Sequence, residues 1–162
     1  MISSKLQTSR AALGLSALLC LGACGVAPTA PVQAHAAAAA SLSPERIAQI
    51  VGSADRSAAD RANDLRRKPE QMLAFIAVRP GMTALDLSAG GGYTTELLAR
   101  AVGPTGRAYG QSPSPRSAQA LVARAKNPAL ANLSGVARAF EDPVPPELVG
   151  GLDVVTMMFN YH

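Results

Sequence analysis

Tryptophan is absent from the 162-residue chain, and aromatic residues make up only 4% of it. A surface that binds nucleic acid clusters its basic residues on one face or interleaves them with aromatics. Here the basic residues are dispersed, apart from one cluster at Arg66-Arg67-Lys68. The formal charge of +4 therefore lacks the arrangement that a nucleic-acid partner needs. The cluster reads as a solvated helix end, where cations are mildly favoured. Cysteine is equally scarce. Cys20 and Cys24 are the two present, and both fall in the N-terminal segment. The remainder therefore has no disulfide, no thiol nucleophile and no cysteine-based metal site, and no metal is expected.

The N-terminal segment differs in composition from the rest. Lys5 and Arg10 form a short positive region, and Ala11 to Leu21 is an apolar run. That run is too short to span a bilayer but suits a signal-peptide core. Leu21-Gly22-Ala23-Cys24 then has the form of a bacterial lipobox, with small residues before the cysteine that becomes lipidated. Cys20 fits less well, because the large Leu19 precedes it. Cleavage after Ala34-His35-Ala36 is the alternative. A first core helix is disfavoured, since neither an acid nor a capping pattern accompanies the run. Gly25, where an acid would signal retention, favours outer-membrane sorting. The expected organisation is a lipoprotein-type signal peptide over 1–23, an Ala/Pro-rich tether over 24–42 and a folded domain over 43–162. The tether cannot bury a core, and His35 within it is expected to be solvated. The chain is thus read as exported, periplasmic and anchored to the outer membrane through Cys24.

From Ser43 onward, helical and strand patterns alternate. Ser43-Pro44-Glu45 is a helix start, and further helices are predicted over about 57–66 and from Pro69. Met72, Phe75 and Ile76 are expected in the core. Pro80-Gly81 turns the chain into a strand at Thr83–Leu87. A helix over about 93–101 and a strand over 107–111 follow, then a helix opened by Ser114-Pro115. A third strand is predicted at Gly135–Phe140 and a fourth at Leu152–Met158, with Met157-Met158-Phe159 buried. Alternation of this kind implies βαβ units and a parallel sheet. The sequence stops at Asn160-Tyr161-His162, directly after the fourth strand, which predicts an unpaired sheet edge and so a truncated sheet, with a compact four-strand domain as the alternative.

The most informative stretch is Leu85-Asp86-Leu87-Ser88-Ala89-Gly90-Gly91-Gly92-Tyr93. It reads as a buried strand ending in an acid, a glycine-dense turn and a helix start. A dinucleotide fingerprint requires G-x-G-x-x-G. Gly90 and Gly92 supply the first pair, but Thr95 stands at the third position, which disfavours a nicotinamide-dependent oxidoreductase. A phosphate-binding P-loop also fails, because no Gly-Lys-Ser/Thr follows.

The turn resembles the first motif of class I S-adenosylmethionine-dependent methyltransferases, acid-x-Gly-x-Gly-x-Gly. Asp86 holds the acidic position, Ser88 replaces the first glycine, and Gly90 and Gly92 hold the other two. Segments that resemble predicted exported methyltransferases of Gram-negative bacteria extend over most of the chain after the tether. They include Arg56–Arg61, Asp64-Leu65-Arg66-Arg67-Lys68-Pro69-Glu70, Leu85–Gly106, Asp142-Pro143-Val144-Pro145 and Asp153–His162. The resemblance implies the N-terminal portion of a Rossmann-like α/β fold, about four parallel strands with flanking helices. It implies S-adenosylmethionine as methyl donor and a small-molecule acceptor. Asp86 would sit near the donor's α-ammonium, and Tyr93 would line its methionine end or simply begin the helix. At the second strand's end, where such enzymes place a ribose-binding acid, stand the neutral Gln111 and Ser112. Asp142 or Glu141 would meet the adenine amino group, or Asp142 would initiate the Pro143 turn. Asn160, Tyr161 and His162 would fall in the catalytic loop, with His162 as candidate base or merely solvated. The competing reading is a non-catalytic, membrane-tethered envelope protein that keeps a remnant of the fold.

Overall fold

A computed structural model describes residues 41–158. Three helices precede the sheet: α1 (Pro44–Val51), α2 (Ala58–Arg67) and α3 (Pro69–Ile76). The Ser43 and Ser57 hydroxyls cap the first two by accepting from Arg46 N and Asp60 N, which satisfies backbone donors that a helix start leaves open. Lys68, in the left-handed region, ends α2 and starts α3, so the two helices follow with no loop between them. Then come β1 (Thr83–Leu87), α4 (Tyr93–Val102), β2 (Arg107–Ser112), α5 (Pro115–Arg124), β3 (Leu133–Ala137) and β4 (Val154–Met157). Ser114 and Ser117 close a reciprocal cap at the start of α5.

All pairings are parallel, and the strand order is β3-β2-β1-β4. Strands are added leftward from β1 to β3, and the chain then returns to place β4 on the other side of β1. That reversal makes the carboxyl ends of β1 and β4 a topological switch point, where open parallel sheets bind ligands. The core lies between the sheet and the helices. Ala84 and Ala108 face Leu97, Leu98, Val102 and Leu121, and Ile47, Ile50 and Leu73 close it from α1 and α3.

Three boundaries and two core expectations require correction. β3 runs from Leu133 to Ala137 instead of 135–140. The Asn132 amide donates to Ala99 O and Gly103 O, both at 2.8 Å, and this fixes the chain just before Leu133 so that pairing begins there. β4 starts at Val154 instead of Leu152, because Asp153 first ties its carboxylate to Thr83 N at 2.7 Å. Phe75 is 87% exposed, whereas Met72 and Ile76 are partly buried as expected. α3 turns Leu73 inward, and Phe75, two residues on, falls on the opposite side of the helix. Met157 is 52% exposed, since β4 is an edge strand among the described residues and buries only Thr156. Phe159 lies outside the described residues.

Gly110 in β2 explains how α4 comes close to the sheet without a glycine at position 95. A Cβ at 110 would stand 2.7 Å from Leu121 Cδ2 and 2.9 Å from Thr95 Oγ1. The space that a dinucleotide fold opens on the helix is here opened on the strand. Gly91 has nothing within 4 Å of a built Cβ. Gly110→Ala is therefore expected to destabilise by about 1–3 kcal/mol through overpacking, and Gly91→Ala to stay within about 0.5 kcal/mol of the parent. Urea unfolding midpoints of the two variants check both.

Candidate functional site

β1 ends in Leu87, and the turn that follows carries the chain over the carboxyl edge of the sheet. Ser88 and Gly90 both have φ of +54°, and Gly92 has +80°. Gly90 and Gly92 accept this without a Cβ penalty. Ser88 does not, and its position is held from outside: Ser88 N donates to Gln111 Oε1 at 2.9 Å, and Ala89 N donates to Gln111 O at 2.9 Å. Gln111 Nε2 donates onward to Arg138 O at 2.6 Å.

Beside this turn lies a cleft of about 270 Å³. Asp86, Ser88, Gly90 and Gly91 form its floor, Tyr93 and Thr94 line it from α4, and Asp60, Asn63 and Arg67 from α2. Arg124 of α5 and Met158 after β4 complete the wall. A larger cavity, about 540 Å³, sits at the opposite edge of the sheet beside Gly103, Arg107 and Asn132. We place the site at the smaller one, because it occupies the switch point at the strands' carboxyl ends and holds the glycine turn.

Asp86 is 2% exposed. Its two carboxylate oxygens accept from Thr95 Oγ1 at 2.7 Å and Thr156 Oγ1 at 2.9 Å. Burial pushes its pKa up to about 6, against the two threonine bonds and the Arg67 charge, which favour the ionised form. Tyr93 is the hub of a second group. Its hydroxyl donates to Asp64 Oδ1 at 2.6 Å, and Arg56 forks onto the same carboxylate at 2.8 and 2.9 Å. The Arg56 and Arg67 guanidinium carbons lie 5.6 and 4.8 Å from the Tyr93 ring centre. Burial, reinforced by Asp64, raises the Tyr93 phenol, which therefore stays protonated at neutral pH.

Arg124 closes the site from below. It donates through Nε to Gly91 O at 2.5 Å, forks onto Asp60 at 2.6 and 3.0 Å, and also donates to Glu96. Burial pushes the Asp60 pKa up, but the hydrogen bonds from Arg124 and Ser57 and the Arg124 and Arg56 charges together outweigh it, and the group is held low. Asp60 and Glu96 are 6% and 5% exposed.

The sequence-derived residues divide accordingly. Asp86, Ser88, Gly90 and Tyr93 come together in the cleft. Gly92 does not line it. A Cβ there would press on Leu121 and Arg124 at 2.8 and 2.9 Å, so this glycine admits the α5 side chains, and Gly91 takes its place in the lining. Gln111 is fully buried with its amide engaged on both sides, so it braces the turn and is no ribose contact. Ser112 is 1% exposed and likewise stays beneath the surface. Asp142 is exposed and pairs with Arg138 four residues back, with its N–H donating to Ala139 O at 3.3 Å. Asp142 thus closes the turn that begins at Ala139. Cys24, Asn160 and His162 lie outside the described residues. Asp60, Asn63, Arg67 and Arg124 were missed. Only the Arg67 cluster left a signal, and it read as a solvated helix end. Arg66 and Arg67 do occupy the last turn of α2, but Arg67 lines the cleft.

No family profile matches the chain. Among solved structures it is similar to a protein-L-isoaspartate O-methyltransferase, at 20% identity and TM-score 0.46 over 54% of this chain and 27% of that one. It is also similar to a SAM-dependent methyltransferase from Aquifex aeolicus, at 22% identity and TM-score 0.49 over 72% and 56%. A third is Aeropyrum pernix fibrillarin with natively bound S-adenosyl-L-methionine, at 22% and 0.43 over 52% and 36%. The chain thus covers 27–56% of the length of these three structures.

Asp86 gives the site a measurable signature. Its folded pKa stands above its unfolded one, so the folded state binds the extra proton between the ordinary 3.8 and about 6. Stability from this group is full below that window and is lost as pH rises through it, by roughly 3 kcal/mol. Asp55, Asp60 and Asp64 are shifted the other way, and their effect falls below the ordinary 3.8. The stability advantage of the parent over Asp86→Asn is therefore expected to shrink from pH 4 to pH 6 and level off above. Urea unfolding across that range measures it, and an advantage that grows instead would contradict a raised Asp86.

Proposed function

We propose that this chain is a S-adenosylmethionine-dependent methyltransferase, with the cleft at the β1/β4 switch point as its donor site. The observation that carries the proposal is the joint placement at that point of the buried Asp86 and a turn whose Ser88 and Gly90 adopt positive φ. A ligand with a cationic amino-acid end suits an acid at the strand tip, and a phosphate does not. The residues fit that end of the donor. Asp86 would face the ammonium, and Gly90 and Gly91 would let the ligand approach the backbone. The chain departs at the ribose, because the Gln111 side chain is spent inside the turn.

When bound, the donor supplies a methyl group already activated on a sulfonium. What remains for the protein is to hold donor and acceptor in line, and positioning of that kind carries much of the rate. Tyr93, fixed by Asp64 and two guanidiniums, is a rigid wall for this purpose. We propose His162 and Asn160 as the catalytic pair on the strength of their place after β4 in the sequence. We propose export and a lipid anchor on Cys24 on the strength of Leu21–Cys24. The acceptor is a small molecule or a macromolecule with an oxygen, nitrogen or carbon nucleophile.

Calorimetric titration of the full 162-residue chain with S-adenosylhomocysteine tests the proposal. Saturable one-to-one binding is expected, weakened at least about tenfold in Gly91→Val, which narrows the cleft without touching the core. Absence of binding at millimolar ligand, with the chain folded by circular dichroism, would refute the donor site.

A further inference from the structure

The cavity of about 540 Å³ at the far edge of the sheet has a chemistry opposite to that of the donor cleft. No acid is among the described residues that line it, and three arginines are: Arg46 of α1, Arg100 of α4 and Arg107 at the start of β2. We infer that this cavity is a second binding site, which takes a phosphate monoester with an apolar body, its phosphate held by Arg46 and Arg107. The inference is independent of the donor-site reading, since the two sites share no lining residue.

The three arginines are not equivalent. Arg100 is engaged through all three of its nitrogens, with Nε and Nη2 on Glu96 Oε1 and Nη1 and Nη2 on Asp55. Its charge is matched within the fold. Asn127 donates to the same Asp55 carboxylate at 2.7 Å, so the segment after α1 is tied to the segment after α5. Asn132 binds Ala99 O and Gly103 O on the other side. These clamps set the cavity walls before a ligand arrives, which lowers the cost of binding. Arg46 and Arg107 differ from Arg100. Neither has a carboxylate partner among the described residues, and the one side-chain bond between them is Arg46 Nη1 to Gln49 Oε1 at 3.3 Å. Two guanidiniums with open donors thus flank a cavity that holds no acid. A phosphate monoester carries about −1.5 to −2 charges at neutral pH, which matches both. A carboxylate or a sulfate ester carries one charge and leaves a guanidinium unmatched. Guanidinium forks also suit pairs of phosphate oxygens. The negative end of α4 faces the same cavity, but Ala99 O and Val102 O are already capped by Asn132 and by Gly81 N, which lessens the repulsion that an anion meets. Ile50, Pro104, Pro128 and Ala129 make the remaining wall apolar. Inorganic phosphate would leave that wall wet, whereas an aryl or alkyl group covers it. The volume lies within the roughly 300–1,000 Å³ of whole-ligand pockets.

The test titrates phenyl phosphate, phenyl sulfate and inorganic phosphate into the full chain at about 0.15 M salt, where attraction between distant exposed charges is screened. Phenyl phosphate should bind saturably, and about tenfold or more tighter than either of the others. Arg46→Gln and Arg107→Gln should each weaken it about tenfold, the size of a charge-assisted bond. Arg116→Gln, which removes an exposed arginine outside the cavity, should not. No saturation of the folded parent at about 10 mM phenyl phosphate would overturn the inference, and so would equal affinity for phenyl phosphate and either comparison anion. Both results come from the parent alone and need no variant to fold. A loss in Arg116→Gln as large as in Arg46→Gln would mean diffuse attraction and would also overturn it. Gly91→Val, which alters the donor cleft, should bind phenyl phosphate as the parent does, and a loss there would place the phosphate in that cleft and sink the second site. Vesicles of phosphatidylcholine doped with phosphatidic acid assign the source of the phosphate. Cosedimentation that both cavity variants abolish assigns a lipid headgroup, and any other result beside phenyl phosphate binding assigns a soluble ester.

Discussion

The contact on which the site depends is the Arg124 clasp. One guanidinium joins three stretches that are far apart in the chain: its own α5, the glycine turn with the helix that follows it, through Gly91 O and Glu96, and α2 through Asp60. Two of those partners are carboxylates almost removed from water. Glu96 keeps Arg100 as a second partner, but without Arg124 the Asp60 carboxylate would lose its ion pair in a buried place, a condition that typically costs about 3–5 kcal/mol. The clasp therefore does more than decorate a surface. It fixes how far the turn stands from the helices, and a Cβ on Gly92 would leave no room for the Arg124 stem. The glycine that looks like a ligand contact is in fact the opening through which the clasp enters.

The helices ahead of the sheet become part of the site by the same means. α2 buries just one residue, the acid Asp60, so apolar burial gives it little hold on the domain. Its position comes instead from Asp60 on Arg124 and from Asp64 between Arg56 and Tyr93. Paired and partly desolvated charges of this kind give definite geometry more than they give stability. Definite geometry is what a wall of a binding cleft requires, and α2 contributes Asp60, Asn63 and Arg67 to that wall.

Local signals in the sequence carried most of the fold. Ser43-Pro44, Ser114-Pro115, Pro80-Gly81 and the glycine run each act within a few residues, and the structure starts or turns its elements at those places. The alternation of strand and helix likewise gave the parallel sheet. Legibility ended where a residue's role is set by a partner remote in the chain. Asp60 and Arg124 are 64 residues apart, and nothing near either marks the pairing. Arg67 looked solvated because its cleft forms only when α2 is placed against β1 and α4. The apolar spacing of Met72, Leu73, Phe75 and Ile76 suggests one helix face, but α3 is short and shows the core a narrow stripe that leaves Phe75 outside.

Gln111 shows how two departures from a motif can be one physical fact. Ser88 replaces a glycine at φ +54°, and a side chain in that region costs on the order of 1–3 kcal/mol. The turn keeps this conformation because Gln111 accepts from Ser88 N and, with its other amide atom, donates to Arg138 O. A carboxylate at 111 could accept from Ser88 but has no proton for the Arg138 carbonyl, and would meet a second acceptor head-on in a fully buried place. An amide alone satisfies both sides. The neutral residue at the end of β2 is thus tied to the serine in the turn. An acid at 111 would require a rearrangement at Arg138, and glycine at 88 would lessen the need for the amide. The glycine turn and the end of the second strand are physically coupled because they share the buried Gln111 side chain.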